Sequence, residues 1–322
     1  MPATALRCRV CETQYPVDPI GVCARCFGPL DPVYDRDEQR RTVTRESISS
    51  GPQSIWRYAQ LLPVAPPPEQ RLPVGWTPLV RAPRLAEAVG VGELWLKLDT
   101  ANPTHSFKDR VVAVAAAKAL ELGRTTLAFE IAEQLGWELP DAVITPIASG
   151  AMFSKVHHGF GELLELGLVD GTTPRLVGGQ AEGCSPVARA FADDAKLKPV
   201  RPNTVARSLA IGSPADGELA VSTARSSGGA VYAVAEDEIA DNVALLAETT
   251  GIFGETAPGV TLGALREAVR RGDLGEDDRV VLLVTGDGLK TPSLVADRLE
   301  PTVVEPDADL ILDSLSAAGG VR

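Results

Sequence analysis

Histidine is scarce in this chain of 322 residues, which contains only His105, His157 and His158. A catalytic metal centre built from several histidines is therefore not expected. A serine hydrolase is also disfavoured, because it needs a histidine base and because Ser149 does not lie in a Gly-x-Ser-x-Gly turn.

Positive charge and long apolar runs are lacking as well. The chain has 31 Lys and Arg against 43 Asp and Glu, which gives a net charge of −12. This balance argues against a nucleic-acid or membrane-surface partner. No apolar run reaches membrane-spanning length, and the N-terminus has no apolar signal-peptide segment. We therefore expect a soluble cytoplasmic protein, and a hydrophobic content of 44% allows a sizeable core in one or two domains.

Four of the five cysteines form two Cys-x-x-Cys pairs, which are separated by eleven residues. Such pairs place four thiolates around one tetrahedral ion, and a site with four protein ligands is structural because no coordination position stays open. We predict a Zn²⁺ ribbon with its linker over residues 1–45, while iron in the same ligands and free thiols stay open as alternatives. The predicted ligands are Cys8, Cys11, Cys23 and Cys26.

From residue 46 onward the sequence alternates apolar strands with amphipathic helices, so the fold class is α/β with a mostly parallel sheet flanked by helices. The predicted strands include 94–99, 142–147, 175–179, 230–234 and 280–285, and the predicted helices include 108–122, 125–135, 154–166, 185–192, 217–226, 237–249, 261–271 and 290–298. Two helices follow one another at 123–125 with no strand between them. This junction breaks the pattern.

Three loops of the predicted sheet contain candidate ligand-binding residues. Lys108 opens a helix after Ser106, a good N-cap residue, at the strand–loop–helix position where α/β sheets bind ligands. The run Ala148-Ser-Gly-Ala151 is small enough to bring backbone amides and a helix N-terminus close to an anion. Thr285 begins a glycine-rich turn after the last apolar strand. Taken singly, a surface lysine and two ordinary turns explain these segments as well.

The motifs Asn102-Pro-Thr-His-Ser-Phe-Lys-Asp-Arg110, Pro146-Ile-Ala-Ser-Gly-Ala151 and Thr285-Gly-Asp-Gly-Leu-Lys290 occur in this order along the chain. Together they resemble the motifs of zinc-ribbon threonine synthases. These are fold-type II pyridoxal-phosphate enzymes, similar to the β subunit of tryptophan synthase. The resemblance covers nearly the whole chain, except that the family's second, smaller α/β domain has its counterpart reduced near 123–125.

The resemblance implies roles for the candidate residues. Lys108 would be catalytic and would hold pyridoxal 5′-phosphate as a Schiff base, which suits an amine made nucleophilic by desolvation. Ala148, Ser149, Gly150 and Ala151 would bind the cofactor phosphate, and the Thr285 hydroxyl would meet the pyridine nitrogen.

The implied reaction converts the phosphate ester O-phospho-L-homoserine and water to L-threonine and phosphate. A degenerate homologue that binds cofactor without turnover stays open, because the reduced domain contributes the substrate loop in relatives. A cysteate synthase or threonine dehydratase activity also stays open, and so does a homodimer. We further expect the metal to be independent of catalysis, so that Cys8→Ser loosens the ribbon without altering the absorbance of the cofactor.

Overall fold

The computed structural model describes residues 3–17, 20, 22–63, 65–66, 73–118 and 126–296. The N-terminal part contains three short antiparallel strands in the order β2-β1-β3, namely β1 (Ala5–Cys8), β2 (Gln14–Tyr15) and β3 (Leu30–Val33). Two short helices follow, α1 (Arg36–Thr42) and α2 (Arg45–Ser49). These helices lie in the predicted linker. Both carry N-caps, Asp35 and Thr44, whose side chains accept hydrogen bonds from the first helical turn.

The main sheet has six strands in the order β4-β5-β9-β6-β7-β8. Only the edge strand β4 is antiparallel to its neighbour, and the other pairs are parallel. The mostly parallel sheet predicted from the sequence is therefore confirmed. The strands are β4 (Leu79–Arg81), β5 (Glu93–Leu98), β6 (Ala142–Pro146), β7 (Arg175–Ala181), β8 (Ala230–Val234) and β9 (Arg279–Val284).

Helices cover both faces of this sheet, and alternate residues of each strand pack on opposite sides. In β9, Val281 and Leu283 belong to one hydrophobic cluster, whereas Val280 and Leu282 belong to the other. This double burial explains why the strand is apolar without interruption. The helices are α3 (Pro83–Val89), α4 (Lys108–Lys118), α5 (Leu127–Gln134), α6 (Ala151–Glu165), α7 (Pro186–Ala192), α8 (Gly217–Ser226), α9 (Glu238–Thr250) and α10 (Thr256–Arg271). In the part of the chain that the structure describes, no helix is long and apolar enough to cross a bilayer.

Two predicted helices differ from the structure. Helix α10 begins at Thr256 and not at residue 261, because Pro258 lies in the first helical turn, where its missing N–H costs nothing. The helix predicted for 290–298 is wrong over residues 290–296, where short 3₁₀ turns at Gly288–Lys290 and Pro292–Leu294 replace it. Residues 297 and 298 lie outside the described residues, as do the predicted junction at 123–125 and the end of the helix predicted for 108–122.

A buried ionic network ties α4 to α5 across that junction. Arg110 of α4 makes a bidentate pair with Asp99, with an Nε–Oδ2 distance of 2.8 Å and an Nη2–Oδ1 distance of 2.7 Å. It also contacts Glu130 of α5, whose Oε2 lies 2.9 Å from Lys97 Nζ of β5. All four side chains are at most 2% exposed. The network fixes the first turn of α4, which begins at Lys108.

Candidate active site

Three neighbouring strands deliver the candidate residues to one edge of the sheet. Strands β5, β9 and β6 lie side by side and parallel, so their carboxyl ends meet at the same edge. The loop after β5 leads to Lys108, β9 is followed by Thr285, and β6 is followed by the run 148–151. Ligands of open α/β sheets bind at this edge. The order of motifs along the chain therefore becomes a single site in space.

Backbone hydrogen bonds interlock two of these loops. Ser106 and Gly286 form an antiparallel bridge, and the Phe107 amide donates to the Thr285 carbonyl over 3.2 Å. The Glu255 amide, just before α10, donates to the Gly286 carbonyl over 3.0 Å. The position of Lys108 is thus set by the turn that contains Thr285.

The interlocked loops enclose a cavity of about 420 Å³. Lys108 is an exposed residue of its wall, with Nζ 4.9 Å from the centroid of the Phe107 ring, and Thr285 is buried. No carboxylate of the described residues forms an ion pair with Lys108. All six residues predicted to be catalytic or cofactor-binding line this cavity, namely Lys108, Ala148, Ser149, Gly150, Ala151 and Thr285.

The run 148–151 has the shape of an anion cradle. Gly150 has φ +91° and caps the N-terminus of α6, a helix of fifteen residues. A Cβ atom at Gly150 would lie 2.6 Å from the carbonyl oxygen of Asp216, so the loop requires glycine at this position. The absence of side-chain bulk lets an anion approach the backbone amides and the positive end of the helix. A phosphate group fits this environment without a cationic partner in the loop.

Glu255 also lines the cavity, and the sequence did not mark it as a site residue. It is 7% exposed, and within the described residues its carboxylate has no hydrogen-bond or ion-pair partner. Burial raises the pKa of Glu255, while the charges of Lys290 and Lys108 oppose the rise. A buried carboxyl group with a raised pKa in a cavity that also contains a lysine is a candidate for proton transfer. No local pattern in the sequence marks Glu255, because its chemistry comes from burial.

Two other segments of the wall were only partly anticipated. The segment 208–216 lines the cavity through Ser208, Leu209, Ile211 and Asp216. The ribbon lines it through Arg9, Pro29 and Leu30. The ribbon therefore packs at the site, although the predicted independence of the metal from catalysis stays a prediction.

The four ribbon cysteines converge as their spacing predicts. The Sγ atoms of Cys8, Cys11, Cys23 and Cys26 all lie within 4.8 Å of one another. Backbone amides donate to two of the sulfurs, from Val10 to Cys8 over 3.4 Å and from Arg25 to Cys23 over 3.3 Å. A hydrogen bond from the Tyr15 hydroxyl lowers the pKa of Cys23 to about 6. The cluster could hold a tetrahedral ion such as Zn²⁺, which binds thiolates.

Comparisons with known proteins agree with this geometry. The profile of the family described as "Pyridoxal-phosphate dependent enzyme" matches residues 70–127 and 120–286. A threonine synthase of Methanosarcina acetivorans is 30% identical over 405 aligned residues, which cover 96% of this chain and 98% of the relative. A threonine synthase of Methanocaldococcus jannaschii is 29% identical over 396 residues, covering 95% of this chain and 98% of the relative. Both alignments are longer than the 322-residue chain, so each relative contains segments without a counterpart here.

Solved structures support the fold. An L-serine ammonia-lyase of Rhizomucor miehei matches with a TM-score of 0.55 at 17% identity, over 69% of this chain and 98% of that one. Maize serine racemase matches with a TM-score of 0.51 at 16% identity, over 69% of this chain and 92% of that one. At these identities the likeness concerns the fold alone.

Proposed function

The chain belongs to the family of pyridoxal-phosphate dependent enzymes, and on this premise we propose that it is a lyase that converts O-phospho-L-homoserine and water to L-threonine and phosphate. The observation that carries the proposal is the convergence of Lys108, the cradle 148–151 and Thr285 on one cavity. The two archaeal threonine synthases, which align over nearly their whole length, support this choice of reaction.

The proposal assigns the cofactor to this chain's own residues. The amides of Ser149, Gly150 and Ala151 would bind its phosphate at the start of α6, and Lys108 Nζ would join it covalently. The neutral Thr285 hydroxyl would lie beside the ring nitrogen and leave it without a proton. When bound, the cofactor supplies an electron sink for negative charge that develops on the substrate carbons.

The remaining steps fall to side chains of the cavity. Lys108 Nζ would remove and return protons at the substrate carbons, because it projects into the cavity from the first turn of α4. Glu255 would assist proton transfer in the same cavity, since its carboxyl group is buried and burial raises its pKa. The phosphate of the substrate leaves from Cγ, and a water molecule adds at Cβ.

One observation favours a second candidate, a homologue that binds cofactor but turns over slowly or not at all. The family profile matches in two pieces that meet at residues 120–127, and the aligned relatives exceed this chain in length. Both findings support the proposal that the core over 46–322 carries a truncated small domain near 123–125. A wall that relatives use to close over substrate would then be missing, and a misplacement of about 1 Å can cost about 100-fold in rate.

The two candidates are separated by assaying purified protein for phosphate release and threonine formation, with Lys108→Ala as the blank. Turnover at about 1–10³ per second supports the threonine synthase proposal and refutes the second candidate. Cofactor binding without product supports the second candidate. Serine, threonine and phosphoserine are offered in parallel, because turnover of one of these alone would assign the site to a related reaction.

Cofactor attachment is tested separately from turnover. The protein is mixed with pyridoxal phosphate, reduced with borohydride and digested, and the modified peptide is identified by mass spectrometry. We expect the label on Lys108 and none in Lys108→Ala. A folded protein that stays unlabelled with excess cofactor would refute the assignment.

Zn²⁺ in the four-cysteine ribbon and assembly as a homodimer are also part of the proposal. Metal analysis and sedimentation of the purified protein test them directly.

A further inference from the structure

The metal ribbon packs close to the candidate site. Cys8, Cys23 and Leu30 belong to a hydrophobic cluster that also contains Ile55, Trp56, Leu62 and Val74, and Ala113 of α4 packs against this cluster. Leu30 and Pro29 also face the cavity. The ribbon thus shares a hydrophobic cluster with the helix that begins at Lys108 and forms a wall of the same cavity. A change in the structure of the ribbon can therefore reach the candidate site through direct contacts.

Arg9 connects the ribbon to the cavity wall through polar contacts. It lies in the first Cys-x-x-Cys pair, directly after Cys8, and its amide donates to the Pro29 carbonyl over 3.0 Å. Its guanidinium spans two carboxylates, with Nε 3.0 Å from Asp31 Oδ2 and Nη1 2.9 Å from Asp216 Oδ1. The Arg9 and Asp216 side chains are only 21% and 13% exposed, so water screens this pair less than a surface ion pair. The planar fork of arginine suits such a bridge, and lysine cannot reproduce it.

Asp216 carries the connection to the cradle. Its amide donates to the Ser149 carbonyl over 2.9 Å, and its own carbonyl oxygen lies 2.6 Å from the position that a Cβ of Gly150 would take. The position of Asp216 therefore sets the position of the cradle. A second connection runs from Asp31 of β3 to Lys155 of α6, with an Oδ1–Nζ distance of 2.5 Å. Both connections join the ribbon to the start of α6, where a phosphate would bind.

We propose that the metal ribbon clamps the anion cradle through Arg9, which acts as a positioning residue, so that metal binding and cofactor binding strengthen each other. The metal enters because Arg9 lies between two of the predicted ligands, Cys8 and Cys11, so an ion bound there would order the segment that carries the Arg9 side chain. Coupling between two sites is reciprocal: if metal raises cofactor affinity, then cofactor must retain metal by the same factor. The inference rests on the proposed function for the place where cofactor binds, and it does not depend on turnover.

The chain offers a matched control for Arg9. Arg25 occupies the second Cys-x-x-Cys pair, is exposed, and within the described residues its side chain makes no hydrogen bond, ion pair or ring contact. Cofactor affinity is measured by absorbance titration of zinc-loaded wild type, Arg9→Ala, Arg25→Ala and Asp216→Asn. Loss of a charged hydrogen bond predicts binding about tenfold weaker in Arg9→Ala and Asp216→Asn, with wild-type affinity in Arg25→Ala. The double variant Arg9→Ala/Asp216→Asn should lose little more than either single variant, because the partners form one connection.

The reciprocal measurement distinguishes a positioning role from general damage. Zinc release to a chelator is followed with a metal-sensitive dye, with and without pyridoxal phosphate. Cofactor should slow the release from wild type and from Arg25→Ala but not from Arg9→Ala. If Arg9→Ala does not fold, Asp216→Asn gives the same test from the other end of the connection, and Arg9→Lys should restore only part of the effect.

The outcomes separate this inference from the proposed function. Wild-type affinity in Arg9→Ala, or equal slowing of zinc release in all variants, overturns the clamp while leaving the enzyme assignment intact. A wild-type protein that binds zinc but no pyridoxal phosphate overturns both.

Discussion

The buried network of Lys97, Asp99, Arg110 and Glu130 makes a quantitative prediction about stability. Glu130→Gln removes one anion and leaves Lys97 and Arg110 facing Asp99 alone, in a site where these side chains are at most 2% exposed. An uncompensated buried charge costs about 3–5 kcal/mol. With an m-value of about 3 kcal/mol per molar urea, the unfolding midpoint should fall by about 1–1.7 M. Such a loss is a large part of the stability of a typical protein, about 5–15 kcal/mol.

We expect the effects of Lys97 and Glu130 on the free energy of unfolding to be coupled, because the two side chains form an ion pair in the same buried network. Lys97→Met alone should also destabilise the fold, because two carboxylates then share Arg110. The double variant Lys97→Met/Glu130→Gln restores the balance between Arg110 and Asp99, so it should cost several kcal/mol less than the sum of the single changes.

The assay is urea unfolding followed by circular dichroism. Glu38→Gln serves as the control, because it breaks only a surface ion pair with Arg41 and should cost at most about 1 kcal/mol. Additive single changes of less than about 1 kcal/mol each would refute the network as a source of stability.

The same network should make the stability of the fold depend on pH. Burial alone would raise the pKa of Glu130, but Arg110 and Lys97 together lower it to about 2 from its ordinary 4.5. The stability that the ionised carboxylate contributes is therefore complete above pH 4.5 and is lost as the pH falls toward 2. In Glu130→Gln this part of the acid sensitivity should be absent, and unchanged acid unfolding would contradict the assignment.

Three other substitutions test the site and the ribbon. Glu255→Gln should stabilise the protein at pH 7, because burial raises the pKa of the carboxyl group and the folded state therefore loses stability as the pH rises above the ordinary pKa of the group. The gain, measured as a shift in thermal midpoint, should vanish as the pH falls to about 4.5, the ordinary value for the group, and a constant gain would contradict this account. Gly150→Ala should weaken pyridoxal phosphate binding by more than tenfold, since its Cβ would lie 2.6 Å from a carbonyl oxygen at φ +91°, whereas Gly161→Ala in the open part of α6 should bind normally. Cys8→Ser should lower bound zinc from about one per chain toward zero, and full retention of the metal would show that the ion binds elsewhere.

Strands and helices of the core were predictable because their signal is local. Strand β8 and helix α8 occupy the predicted residues, since an uninterrupted apolar run and an amphipathic repeat each depend on neighbouring positions only. The start of α10 was misjudged because Pro258 and Gly259 suggest a break. Gly259 is in fact needed for close packing, since a Cβ there would lie 2.8 Å from the Ile239 carbonyl oxygen. A tertiary contact of this kind leaves no trace in local sequence.

The candidate site was predictable only in part for the same reason. Each cofactor motif lies at the end of its own strand, so chain order and a parallel sheet suffice to bring them together. The pairing of Arg9 with Asp216 joins residues 207 positions apart, and no pattern in the ribbon indicates it. Glu255 was missed because its chemistry comes from burial, which the sequence does not display.

Two sides of the cavity are held by different parts of the fold, and we expect these parts to affect cofactor binding and turnover differently. On one side, the network from Arg110 to Glu130 joins α4 directly to α5. On the other side, the ribbon supplies Arg9, Pro29 and Leu30 to the wall near the cradle. Under the proposed function, cofactor binding should depend on these two supports, because the cradle, Lys108 and Thr285 all line this cavity. Turnover requires in addition that the substrate be held and water controlled while phosphate leaves. We therefore expect cofactor affinity to change when the ribbon is altered, whereas the rate of phosphate release should depend in addition on how the bound substrate is shielded from water.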